Sequence, residues 1–180
     1  MRLLALIGTV FLISLNTPRT SLGLSLSASP LSGKKNEKFE FSEKPLAHSQ
    51  IINATFTESS FELSTWFQMS MKNTRWENSQ LNGVQIVKSD LSGVQFVKSD
   101  LSGVKCRNCL LQNVRFEDCD LDGVHFLGST LKDVHFVRSD LSRVDFVSSP
   151  CSKCSMDSAT AKTLRPGQLE KWQIPVKDSP

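Results

Sequence analysis

Four of the five cysteines in this 180-residue sequence fall into two pairs of the form Cys-x-x-Cys, Cys106 with Cys109 and Cys151 with Cys154. Twin pairs of that spacing are the usual ligands of a four-thiolate zinc site, since two intervening residues let both thiolates reach one tetrahedral ion. The same pairs close as disulfides in an oxidising compartment, or stay reduced and serve as small apolar fillers. Cys119 has no obvious partner in either case. His48, His125 and His135 do not assemble a catalytic group. A hydrolytic Ser, His and Asp set must stand out from its background, whereas Ser-Asp steps recur here so often that none is singled out. Asn53-Ala54-Thr55 matches a glycosylation acceptor, which matters only in a eukaryotic source. No catalytic residue and no cofactor is assigned.

Charge narrows the classes further. The sequence carries 21 Lys and Arg against 18 Asp and Glu, too even a balance to call for a nucleic-acid partner. Between residues 50 and 160 there are 11 basic and 13 acidic side chains, so the basic excess sits in the tails. At the start, one Arg precedes the apolar run Leu3 to Leu15. That run is short for a bilayer span and suits a signal-peptide core, with small residues around Ser21 to Gly23 for cleavage. The expectation is a signal peptide over 1–23, export to a periplasmic or secreted location, and no stable membrane insertion after cleavage. The alternative is an uncleaved N-terminal anchor. Residues 24–40, rich in Ser and Lys, are expected to be a linker.

The elements that position these residues are set by a beat of five. Counting in fives from Ile51 gives Phe56, Phe61, Trp66, Met71, Trp76, Leu81, Ile86, Leu91, Phe96, Leu101, Cys106, Leu111, Phe116, Leu121, Phe126, Leu131, Phe136, Leu141 and Phe146. Two residues before most of these sits a small or β-branched residue, such as Val84, Ser89, Val94, Ser99 and Val104. No α-helix serves this pattern, because five residues at about 100° each rotate successive apolar groups onto different faces. A plain strand fails too, since its period of two is broken by each step of three. What fits is a short extended piece with two inward side chains, then a corner. Two residues past each central one lies, in many cases, Gly, Asn or Asp, as at Asn53, Asn73, Gly83, Gly93, Gly103 and Asp118. These accept the positive φ of a type II turn. Successive coils must then stack, since one alone can neither bury its inward groups nor satisfy its backbone.

In this beat, a small residue, often an acidic one, then a central Leu or Phe and two variable residues, the chain resembles the pentapeptide repeat proteins over residues 51 to about 150. The resemblance implies an all-β fold, a right-handed quadrilateral β-helix with four pentads per coil. About five coils at ~4.8 Å each would give a rod roughly 24 Å tall. The repeat is expected over 41–163, with a C-terminal cap or tail over 164–180 and Phe39, Phe41 and Leu46 closing the N-terminal end. Stacking by twenties sets like on like: Leu91, Leu111 and Leu131 in one column; Phe96, Phe116 and Phe136 in the next; then Leu101, Leu121 and Leu141; then Phe126 and Phe146.

In that register the two cysteine pairs lie at different corners about two coils apart, on the order of 10 Å along the axis, too far for one metal ion. Within each pair, however, the cysteines are the first and fourth residues of a turn, near disulfide range. His125 and His135 precede central residues and should point outward, on neighbouring sides. The residue after each central one should also face solvent, yet one side reads Phe67, Val87, Arg107, Leu127 and Val147, with Val97 and Val137 on another. Phe67, Val87, Leu127 and Val147 form a candidate interaction stripe; the alternative is that β-branched residues simply suit this backbone. The functional expectation is a non-enzymatic exported scaffold, a module for an unknown protein partner or an envelope component, with a homodimer as a further option. Some family members imitate DNA and bind topoisomerases, a second reading that needs a continuous acidic surface. Here Arg75, Lys88, Lys98, Arg107, Arg115 and Arg138 interrupt it.

Overall fold

The computed structural model describes residues 24–25, 31–43 and 45–178, so the expected signal peptide lies outside the described residues. Every fifth residue from Gly33 to Arg138 has a positive φ, between 48° and 73°. Each is a corner. Many are the Gly, Asn and Asp that the sequence offers for this purpose, but Lys38, Glu43, His48, Leu63, Gln68, Lys88 and Lys98 take the same conformation. Left-handed backbone costs an ordinary L-residue about 1–2 kcal/mol, so at these positions the stacked coils override local preference.

Between corners the chain is extended and pairs in parallel with the residue twenty ahead, as in Phe96 with Phe116 and Phe116 with Phe136. One side of the column is a seven-stranded sheet of Leu24–Ser25, Pro45–Ala47, Thr65–Phe67, Gln85–Val87, Lys105–Arg107, His125–Leu127 and Asp145–Val147. Opposite it stands an eight-stranded sheet, which includes Thr55–Thr57, Arg75–Glu77, Gln95–Val97, Leu110–Glu117 and Thr130–Val137. Single bridges hold the third side, Gln80 to Asp100, Asp120 and Asp140, and the lower part of the fourth, Gln50 to Ser70, Asp90 and Leu110, beyond which Leu110–Gln112 pairs with Thr130–Lys132 as a ladder. Hydrogen bonds between coils are short and regular, for example Arg75 N–H to Ala54 C=O at 2.9 Å and Asn78 N–H to Val97 C=O at 3.0 Å.

The column has about six coils rather than five. The addition is at the N-terminal end, where Lys35–Glu37 pairs with Thr55–Thr57 and Leu24–Ser25 with residues 46 and 47. Part of the stretch expected as a linker is therefore coil. Its polar composition conceals this, because only the inward positions need be apolar, and there Phe39 and Phe41 pack on Phe61 at ring distances of 5.5 and 6.0 Å.

Inside, Leu91, Phe96, Leu101, Leu111, Phe116, Leu121, Phe126, Leu131, Phe136 and Leu141 are all buried, and Phe146 is half-buried at the end of its column. Phe96, Phe116 and Phe136 stack nearly parallel at 5.2 and 5.3 Å, as do Phe126 and Phe146 at 5.1 Å. Each such side chain contributes roughly 2–3 kcal/mol of apolar transfer. Buried serines form a second kind of ladder. Ser79 Oγ accepts from Ser59 N–H at 3.2 Å and Ser99 Oγ from Ser79 N–H at 3.1 Å, while Ser99 donates to its own strand at Val97 C=O, 3.0 Å. A hydroxyl buried without such partners would cost a few kcal/mol. Cys109 and Cys119 occupy rungs of these ladders, each donating its backbone N–H to a serine one coil on, Ser129 and Ser139, at 3.1 Å. That accounts for the cysteine left over from the pairs: Cys119 stands where a serine would.

At the C-terminal end the beat breaks. Two short helices, α1 (Ser158–Ala161) and α2 (Gln168–Trp172), follow the last coil. Asp157 caps α1 by accepting from Thr160 N–H, Trp172 meets Phe146 edge-on at 4.9 Å, and Ile174 is buried beside them. Gln168 reaches back to Val144 C=O at 3.4 Å. These contacts cover a cross-section that would otherwise expose apolar rings and unpaired backbone.

Candidate interaction face

The two sheets differ in what they present to solvent. On the seven-stranded side, Phe67, Val87, Arg107, Leu127 and Val147 are successive partners in one ladder. Phe67, Val87 and Leu127 are half-buried and Val147 is 46% exposed. Arg107 is the one charged interruption of that column. On the opposite side the outward groups are ion-paired: Arg75 with Glu77 at 3.3 Å, Arg115 with Glu117 at 2.9 Å, and Arg138 with Glu117 and Asp118 at 2.6 Å. Val97 and Val137, expected to face solvent there, are only 7% and 6% exposed. In the ladder Val97 stands between Glu77 and Glu117, so the second sheet has no apolar stripe.

These ion pairs set the local electrostatics. The Arg115 guanidinium, followed by that of Arg138, holds the Glu117 carboxyl below its ordinary value, and Arg138 does the same for Asp118. Asp122 is lowered by its pairing with Arg143. Burial pulls Asp90 upward, but hydrogen bonds from Ser92 and Lys72 outweigh it and leave the group lowered.

His125 and His135 sit on opposite sheets, not neighbouring sides, since ten residues are half a coil. His135 has partners the sequence reading missed: its Nδ1 is 2.7 Å from Ser155 Oγ and its Nε2 is 3.2 Å from Asp133 Oδ1. Asp133, His135 and Ser155 become neighbours only once the register is known. They stand on an open side, with the His and Asp side chains 36% and 48% exposed, where water competes for every bond and such pairs are weak. The arrangement orients an imidazole and forms no enclosed site. A shallow groove of about 560 Å³ follows the Gly83, Gly103 and Gly123 corner, from Leu63 at one end to Asp122 and Arg143 at the other. Among the described residues no group of three or more His, Cys, Asp or Glu could hold a metal ion.

Of the cysteine pairs, Cys151 and Cys154 are joined as a disulfide with Cα atoms 5.7 Å apart, while Cys106, Cys109 and Cys119 are free and buried. Burial pushes the Cys119 thiol up to about 11.

Residues 69–146 and 89–164 match a family model described as a pentapeptide repeat region. The chain belongs to the pentapeptide repeat family. Among solved structures, a pentapeptide repeat protein from the thylakoid lumen of Arabidopsis thaliana is 14% identical with a TM-score of 0.44, over 59% of this chain and 74% of that one. QnrB1, a plasmid-mediated fluoroquinolone resistance protein, is 10% identical with a TM-score of 0.40, over 80% and 89% of the two chains. The pentapeptide repeat protein Rfr23 from the cyanobacterium Cyanothece 51142 is 13% identical with a TM-score of 0.30, over 82% and 87%. Values this low say nothing of what the chain binds. No curated protein matches the sequence.

Proposed function

We propose that this pentapeptide repeat protein is a non-enzymatic, exported scaffold that receives a protein partner on its seven-stranded sheet. The observation that carries this reading is the inequality of the two sheets: one bears the column Phe67, Val87, Leu127 and Val147, while the outward groups of the other are ion-paired. An apolar column rimmed by polar residues is the surface a protein interface uses. Export is supported by the apolar N-terminal run and by the Cys151–Cys154 disulfide, a bond that persists in oxidising compartments. Among the described residues no helix is long and apolar enough to cross a membrane.

The test is capture from the soluble fraction of the protein's own compartment on immobilised protein. A defined band should bind the wild type, persist with Glu77→Gln on the opposite sheet, and vanish with the triple variant Phe67→Glu, Val87→Glu, Leu127→Glu. Equal capture by that variant ends the assignment of this column as the site. Imitation of DNA, the other reading, requires unneutralised acidic charge, whereas Glu117, Asp118 and Asp122 are all paired with arginines. No inhibition of gyrase supercoiling by the purified chain is expected, and inhibition at stoichiometric amounts would reverse the order of the two readings.

A further inference from the structure

Cys106 and Cys109 occupy the same two places in their five-residue unit as the joined Cys151 and Cys154, at a different corner of the column. Each pair is a central residue followed three positions later by a small inward one, around a corner of nearly equal φ, 53° at Asn108 and 57° at Lys153. The joined pair shows that this corner brings two cysteines to a Cα separation of 5.7 Å, within the range disulfides require. We propose that Cys106 and Cys109 are a second dithiol–disulfide site, closed by thiol–disulfide exchange inside the shaft.

Three features of the site favour closure. The neighbouring thiol, with burial, raises Cys106, while the same neighbour lowers Cys109, making Cys109 the readier thiolate. Cys106 is also the smallest member of its column, between Ile86 and Phe126. A void of about 10 Å³ lined by Cys106, Phe96, Phe116 and Phe126 remains beside it, so the Cys106 side chain is not packed tight on its inner side. Finally, the loop that would close contains Arg107, exposed on the outer face, so the bond would fix the corner that carries the one charge in the apolar column. The chemistry balances with a small disulfide such as oxidised glutathione. Cys109 thiolate attacks one glutathione sulfur and releases a first glutathione thiolate. Cys106 thiolate then displaces the second, and the two protons lost by the cysteines end on two glutathione molecules while the S–S bond forms between residues 106 and 109.

Both cysteines are 3% exposed, so the exchange must be given access. The full chain is unfolded, refolded to equilibrium across a series of glutathione redox buffers, then alkylated in denaturant with N-ethylmaleimide and weighed. Cys151–Cys154 serves as an internal reference. With that bond closed and 106–109 open, three adducts form, on Cys106, Cys109 and Cys119. As the buffer becomes more oxidising the count should fall to one, and peptide mapping should find the 106–109 link. Cys109→Ser, which keeps the serine-like rung, should hold two adducts at every potential that keeps Cys151–Cys154 closed. Three adducts persisting across all buffers that close Cys151–Cys154 would overturn the proposal, as would any link that involves Cys119 or a second chain. No partner enters this measurement, so its outcome is independent of the docking reading.

Discussion

Cys119 shows how much one atom decides in this interior. It lies between Ser99 and Ser139 in a ladder where each side chain serves the backbone of the neighbouring coil, and its sulfur takes the backbone N–H of Ser99. Cys119→Ser should therefore be nearly neutral, while Cys119→Ala, which strands that N–H, should cost about 1–3 kcal/mol in urea unfolding. Arg138 makes the corresponding point outside. It helps to lower Glu117 and Asp118, and a carboxylate whose folded pKa is depressed adds stability above its unfolded value, here the ordinary 4.5 and 3.8. That stability is lost as pH falls through the lowered folded values. Arg138→Gln should accordingly lower the urea midpoint at pH 7, and the gap from wild type should begin to shrink below about pH 4.5 and close once pH falls below the lowered folded values. A gap that is unchanged down to pH 2 would show that these pairs do not act.

At the scale of the element, the corner is the unit. Gly103 has a φ of 67° and open space where a Cβ would stand, so Gly103→Ala isolates the backbone cost and should destabilise by roughly 1–2 kcal/mol. Lys88 holds a φ of 52°, and Lys88→Gly should be neutral or stabilising by up to about 1 kcal/mol, the relieved strain exceeding the entropy that Gly adds to the unfolded chain. Both are read from thermal or urea midpoints. The corners were legible at Gly, Asn and Asp because those side chains favour left-handed backbone. They were not legible at Lys38, Glu43 or Leu63, where only the neighbouring coils dictate the conformation. Similarly, Ile51 to Phe146 announced the interior because those central positions are apolar throughout, whereas the first coil is concealed by outward Lys and Glu and by Asn36, a polar residue at the central position that pairs with Phe56 and donates to the Leu31 and Thr55 carbonyls. His135 and Ser155 are twenty residues apart, and their contact depends on a register that spacing within one pentad does not encode.

As a whole molecule, the protein is a column whose four sides share one interior and differ in what they show. Two sides are held largely by single bridges, one sheet is laced by Arg–Glu pairs, and one presents an apolar column broken by Arg107. Coils touch only their neighbours, so stability is a sum of coil-to-coil contacts and is lost where a column is interrupted. The central claim is that inward residues spaced by fives carry those contacts, and Phe116, stacked at 5.2 Å on Phe96 and 5.3 Å on Phe136, is the place to test it. Chemical unfolding of Phe116→Ala should show a loss of about 3–5 kcal/mol against wild type. A loss below about 1 kcal/mol would contradict the account, because a side chain stacked on both faces and sealed from water cannot be removed at so small a cost.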